Sequence, residues 1–304
     1  MGRKVDWLKG IIVSLITPFD QNEEINEQAL RMHIDFLIEK KINVLFPLST
    51  TGEFFKQSMQ ERKKVMSIVV DQANGRIPVM PGCHAFSTKM SIELAKYAED
   101  VGADGICLLP PYGMFPLADE ALYNHYKDVN EATELPVSVY TEQNVTNDMP
   151  LDLLNRLADL PNIMGVKLST TDMERFQLGV LNLSNRIAVC TGMEQVFVPA
   201  LTFGGLGGYL GTANMVPEFW VKVYDLFMGG NLRDALELNK KFTFVVTPVV
   251  LKYGFSETIK EALNIRGMNM GQTRRPSTKG VMITPKEKEE IRKMLLDLGI
   301  TLIE

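Results

Sequence analysis

An amine closing an apolar strand is the first feature of this sequence that could do chemistry. The run Ile163-Met164-Gly165-Val166-Lys167 is apolar until its last residue. A lysine buried there is costly to keep charged, because desolvation disfavours the ammonium. The same cost makes the neutral amine available as a nucleophile toward a carbonyl. The opposing reading is a strand-end lysine whose stem lies on apolar surface while its amine reaches water. On residue type alone both stand. Two other strand-like runs end in groups of matching use. Val137-Ser138-Val139-Tyr140 ends in a phenol able to move protons. Val44-Leu45-Phe46-Pro47-Leu48 leads into Ser49-Thr50-Thr51-Gly52-Glu53. Hydroxyls before a glycine turn offer both O–H and N–H donors to an anion such as a carboxylate.

Groups this far apart in sequence need a scaffold that gathers strand ends. Short apolar or β-branched runs occur at 10–17, 43–48, 77–81, 105–109, 137–140, 163–168, 187–191 and 208–210. Between them lie segments of helical period at 27–40, 60–73, 88–101, 119–131, 151–160, 172–183 and 195–203. Strand starts recur roughly every 20 to 35 residues, the spacing of βαβ units. Punctuation agrees: Gly102 follows a helical pattern directly, Pro78 and Pro136 open strands, and Asp152 sits near a helix start. Eight alternations predict an α/β fold, a (β/α)8 TIM barrel over residues 1–229. Helical patterns at 232–243, 256–263 and 285–298 predict a C-terminal helical extension of the same domain over 230–304. In such a barrel, polar residues at the C-terminal ends of strands face the site.

Composition narrows the function. A net charge of −5 argues against nucleic acid or an anionic membrane as partner. Cys83, Cys107 and Cys190 form no C-x-x-C pair, which suggests a reducing compartment and buried thiols. The charged start and the apolar run from Ile11 to Ile16 end in Thr17-Pro18-Phe19-Asp20 with no cleavage pattern, so the run reads as a strand. Asp6 breaks the myristoylation pattern. No stretch is long and apolar enough to span a membrane, and a cytoplasmic protein is expected. His33 and His125 lie in helical patterns, and three scattered histidines give no metal motif. Gly204-Gly205-Leu206-Gly207-Gly208 lacks a nucleotide-loop register, since Leu210 stands where glycine is needed, and reads as a tight helix-to-strand connection. Neither metal nor cofactor is expected.

Taken together, Gly10-Ile11-Ile12 through Thr17-Pro18-Phe19, the Thr50-Thr51-Gly52-Glu53 turn, Tyr140 and Gly165-Val166-Lys167 resemble the dihydrodipicolinate synthase/N-acetylneuraminate lyase family. The likeness covers nearly the whole chain, including Gly75-Arg76-Ile77-Pro78-Val79 and Gly102-Ala103-Asp104-Gly105. Each motif is weak alone, but four in the right order are specific. The resemblance implies a class I aldolase-type lyase on a (β/α)8 barrel, homo-oligomeric (a tetramer or dimer), with a small 2-oxo acid as substrate. Carried over by position, Lys167 forms an imine with the keto carbon of pyruvate or a related 2-oxo acid. Tyr140 shuttles protons, and Thr50 and Thr51 hold the carboxylate and relay protons. Ser169 and Glu194 match substrate-contacting positions of the neuraminate lyase branch, though both also suit helix capping. Leu210, closing the last predicted strand, completes the substrate-binding set.

Two departures stand out. Synthases proper carry a relay tyrosine where this chain has Gly113, in Pro110-Pro111-Tyr112-Gly113-Met114-Phe115. They carry a carboxylate-binding arginine where this chain has Val145, in Tyr140-Thr141-Glu142-Gln143-Asn144-Val145. Losing a bidentate carboxylate binder bears on the second substrate. Tyr112 and His84 are the candidates to replace the relay tyrosine. His84 equally suits an ordinary loop histidine. Three functions follow: a Schiff-base lyase with a different second substrate, the synthase itself, or a non-catalytic ligand-binding barrel. Phe86, Met114, Phe115, Glu142 and Asn144 are expected near the far end of the substrate.

Overall fold

The computed structural model describes residues 5–112, 116–142 and 149–302. The alternating runs become β1 (Gly10–Ser14), β2 (Val44–Phe46), β3 (Ile106–Leu108), β4 (Val137–Thr141), β5 (Ile163–Leu168), β6 (Ala188–Thr191) and β7 (Gly207–Leu210). They form one sheet in the order β2-β1-β7-β6-β5-β4-β3, and the ladders from β3 to β7 are parallel.

The run expected as a strand at 77–81 is not a continuous one. It touches its neighbours through isolated parallel bridges, Leu45 with Val79 and Gly82 with Cys107. Leu45 N–H donates to Pro78 O (3.0 Å), Met80 N–H to Leu45 O (2.9 Å), and Cys107 N–H to Pro81 O (2.9 Å). Pro78 and Pro81 have no N–H of their own, so a full ladder cannot form there. The segment nevertheless fills the gap between β2 and β3 and closes the ring at eight positions. The fold is a (β/α)8 barrel.

Helices follow the strands: α1 (Glu27–Glu39), α2 (Met59–Ala73), α3 (Thr88–Asp100), α4 (Asp119–Glu131), α5 (Leu151–Leu157), α6 (Met173–Leu183), α7 (Phe197–Thr202) and α8 (Pro217–Met228). Their starts carry the expected chemistry. Ser58 and Glu61 make a reciprocal capping box on α2, and Asp172, expected inside α6, instead caps it by accepting from Arg175 N–H. The C-terminal helices are α9 (Leu232–Tyr253), α10 (Phe255–Ile265) and α11 (Pro285–Asp297). Among the described residues no helix is long and apolar enough to cross a membrane.

Two compact units share the chain. The first takes the chain up to Ile12, Asn43–Phe46 and Ile77–Tyr209; it contains the hydrogen bonds that close the ring. Its glycine-rich connection is there for close approach. A Cβ on Gly207 would lie 2.4 Å from Gly10 O, so β7 comes this close to the β1 backbone only because position 207 carries no side chain. The second takes Val13–Ile42, Pro47–Arg76 and the chain from Leu210 onward. Its centre is Asn214, whose Oδ1 accepts from Ile16 N–H (3.1 Å) and His33 Nε2 (3.0 Å), while Nδ2 donates to Ser14 O and Gly211 O, both at 2.7 Å.

Two buried histidines give the fold an acid limit. Burial pushes the His33 imidazole from 6.5 down to about 4, against the opposing Asn214 hydrogen bond. Burial does the same to His125, also to about 4. Both folded values lie below the unfolded one, so the unfolded chain binds more protons between pH 4 and 6.5. Stability is therefore full above pH 6.5 and is lost as pH falls through 4, by up to about 3 kcal/mol per histidine. Urea unfolding between pH 7 and pH 4 checks this; His33→Gln, which keeps a donor for Asn214, should flatten the slope.

Candidate active site

Lys167 is buried in β5, and register explains its neighbours. It pairs with Tyr140 of β4 and Cys190 of β6, so the three residues share one face of the sheet. Its Nζ sits 3.6 Å from the Tyr140 ring centroid, 5.4 Å from that of Tyr209 and 5.6 Å from that of Phe46. These are cation–π distances. The lysine does not snorkel; it ends in a cage of rings. Below it, Ser138 and Tyr209 share a hydrogen bond of 2.7 Å, which fixes the Tyr209 ring. The paired strand ends were visible in sequence. Phe46, Tyr209 and Ser138 were not, because inward residues of barrel strands read as ordinary core.

Gly192 was equally silent. A Cβ there would lie 2.2 Å from Ser169 Oγ and 2.8 Å from Lys167 Cε, so only glycine leaves the lysine stem its path. Gly192→Ala is expected to displace Lys167 and cut turnover by roughly tenfold or more, since a misplacement near 1 Å suffices for such losses. Steady-state rates beside an unchanged circular-dichroism spectrum check it. Among the described residues, the buried Ser169 Oγ has no hydrogen-bond partner. Glu194 is buried and opens a short 3₁₀ turn, Glu194–Val196. Leu210 closes β7 and is fully buried, and the pleat turns it to the opposite face from Tyr209.

The Ser49–Glu53 turn lies in the second unit and is held hard. Leu48 and Glu53 bracket it in left-handed backbone, both at φ 59°, a conformation costing about 1–3 kcal/mol per non-glycine residue. Gly52 N–H donates to Ser49 Oγ (3.1 Å), and Gly52 O accepts from Thr17 Oγ1 (2.9 Å) and Gln57 Nε2 (2.8 Å). Thr51 is buried and its carbonyl accepts from Ser256 Oγ of α10 (3.1 Å); Thr50 is half-buried. Glu53 is the anchor. Its buried carboxylate accepts from Lys260 Nζ (2.6 Å), Lys56 Nζ (3.0 Å) and Arg274 N–H (3.0 Å). Burial pulls the Lys260 ammonium down to about 8, with Glu53 opposing the shift.

Of the two candidates for the relay position, His84 is the one whose ring faces Tyr140, with centroids 5.9 Å apart. Its Nδ1 accepts from Leu109 N–H (2.9 Å), which assigns the neutral ring's proton to Nε2. Tyr112 packs instead on Phe86, centroids 4.5 Å apart. Gly113, Val145, Met114, Phe115 and Asn144 lie outside the described residues. The three cysteines are buried and free, and burial raises the Cys107 and Cys190 thiols to about 12. No group of three or more His, Cys, Asp or Glu side chains among the described residues is placed to hold a metal ion.

A parallel barrel with a caged amine on one strand and a phenol on the next is the architecture of an aldolase-type lyase. The comparisons agree: residues 7–297 match the dihydrodipicolinate synthetase family, and the chain belongs to it. A 4-hydroxy-tetrahydrodipicolinate synthase of Methanopyrus kandleri is 33% identical over 300 residues, 96% of this chain and 97% of that one. A protein of Thermococcus onnurineus named as an uncharacterized DapA-like lyase is 32% identical over 295 residues, 96% of this chain and 99% of that one. Among solved structures, the chloride-inhibited dihydrodipicolinate synthase of Acinetobacter baumannii complexed with pyruvate superposes with a TM-score of 0.90. It is 31% identical and covers 97% of this chain and 100% of that one. The protein is thus an enzyme with lyase activity, of the class I aldolase type.

Proposed function

We propose that Lys167 forms an imine with C2 of pyruvate or a related 2-oxo acid. The observation that carries this is the position of its Nζ: buried, on the face of Tyr140 and one strand over from it. The neutral amine adds to C2, and the carbonyl oxygen gains a proton to give a carbinolamine. Loss of water leaves the imine, and its protonated form draws electrons from C3. Loss of a proton from C3 gives an enamine that can form a C–C bond; cleavage runs the same path backward, and expulsion of a 4-hydroxyl by the enamine is the dehydration variant. In this reading Tyr140 moves the protons, and Thr50 and Thr51 hold the carboxylate. Ser169 and Glu194 serve the remainder of the substrate, and Leu210, whose side chain faces away from the Tyr209 side, does so through its backbone. Borohydride with pyruvate tests it: a covalent adduct at Lys167 is expected, and no adduct with any 2-oxo acid would remove the reading.

The second substrate is proposed to differ from aspartate semialdehyde, on the sequence departures at Gly113 and Val145. The competing reading, the synthase itself, is favoured by relatives of that name. Condensation of pyruvate with aspartate semialdehyde at a useful rate would decide for it. The non-catalytic reading predicts ligand binding without turnover. A cytoplasmic homo-oligomer, dimer or tetramer, completes the proposal, as does a domain of barrel (1–229) plus helical extension (230–304).

A further inference from the structure

The three rings around Lys167 are more than packing. A leucine or valine could fill the same strand positions, as Leu45, Val139 and Val166 fill theirs. Phe46, Tyr140 and Tyr209 instead bring three π-faces to within about 6 Å of one nitrogen, the range in which a ring quadrupole attracts a cation. The set is internally braced. Phe46 stands edge-on to Tyr140 (6.2 Å between centroids) and to Tyr209 (5.5 Å), and Tyr209 is tied through its hydroxyl to Ser138. Rings locked this way cannot turn aside when the nitrogen changes partner.

We propose that Phe46 and Tyr209 are positioning residues that hold the Lys167 nitrogen and favour the cationic state of the imine formed on it. This deepens the function proposed above and rests on it. The protonated imine carries its positive charge on that same nitrogen, so the faces that meet the ammonium also meet the iminium. Burial alone would push the imine toward its neutral form, which is a poor electron sink. The rings offset that penalty without supplying an acid that could trap the amine in a salt bridge. Tyr140 keeps its separate work as the proton carrier.

The partial reaction that isolates this effect needs no second substrate. Enamine formation exchanges the methyl protons of pyruvate with solvent deuterium, and proton NMR reads the rate as a function of pH. Phe46→Leu and Tyr209→Leu are each expected to slow exchange by about tenfold, the scale of one desolvated cation–π contact. They should also move the alkaline limb of the profile to lower pH. Tyr209→Phe keeps the ring and loses only the bond to Ser138, and it should recover most of the rate lost in Tyr209→Leu. A general loss of packing lowers thermal stability but leaves the pH limb of the folded enzyme where it was. Leucine variants with the parent's pH profile would overturn the proposal. So would a Tyr209→Phe variant as slow as Tyr209→Leu. If the unmodified protein neither exchanges protons nor gives a borohydride adduct, the imine reading fails and takes the cage with it. Adduct and exchange in the parent with unmoved profiles in the variants would remove the cage alone.

Discussion

Lys167→Met should abolish turnover while leaving the protein as stable as the parent, or more so. The amine is the proposed nucleophile, and removing such a group typically costs at least about 10³-fold in kcat. Methionine nearly conserves the volume of the stem, so no cavity opens among Phe46, Tyr140 and Tyr209. Burying an amine has a desolvation cost that a thioether does not carry. Activity and stability therefore move in opposite directions, the mark of a residue kept for chemistry. The borohydride adduct and a urea midpoint measured on the same preparation give both readings. A variant that loses its fold along with its activity would argue that Lys167 is structural.

The largest stability effect is expected at the Glu53–Lys260 pair, where both side chains are fully buried. Lys260→Met leaves the Glu53 carboxylate with one fewer charge partner in a site that water cannot reach. Removing one member of a buried pair costs about 3–5 kcal/mol. Glu53→Gln added to that variant removes the buried charge left with Lys56 as its remaining ion-pair partner and keeps an acceptor for Arg274 N–H, so it should return part of the loss. Such recovery in the double variant separates charge burial from simple loss of packing. Chemical denaturation of the single and double variants measures it.

Much of this architecture was legible because period and punctuation agreed along the chain. α4 (Asp119–Glu131) and α3 (Thr88–Asp100) start and stop within a residue of their amphipathic patterns. Where local signals conflict with tertiary structure, the reading fell short. α9 was expected to end at residue 243, before an apolar stretch and Pro248, yet it runs to Tyr253 through that proline. Packing of Phe242, Val246 and Tyr253 on one face outweighs the missing N–H. The site shows the same division. Lys167 and Tyr140 stood out because polar groups closing apolar strands are unusual. Phe46, Tyr209 and Gly192 act through shape and aromatic faces, which residue type alone does not distinguish from core filling. The Glu53 anchor depends on residues more than 200 positions later in the chain, and no local pattern announces such a partner.

The segment at 77–82 has a consequence for the crowded cell. A barrel is safe from edge-to-edge association only while its ring stays shut, and this ring is hooked most thinly on either side of that segment. Whenever it parts there, one of the exposed rims carries Pro78 and Pro81, neither of which can donate to a foreign strand. The same two residues that weaken the seam take two donors from that rim, so it offers a neighbouring chain a poorer template than an ordinary strand would.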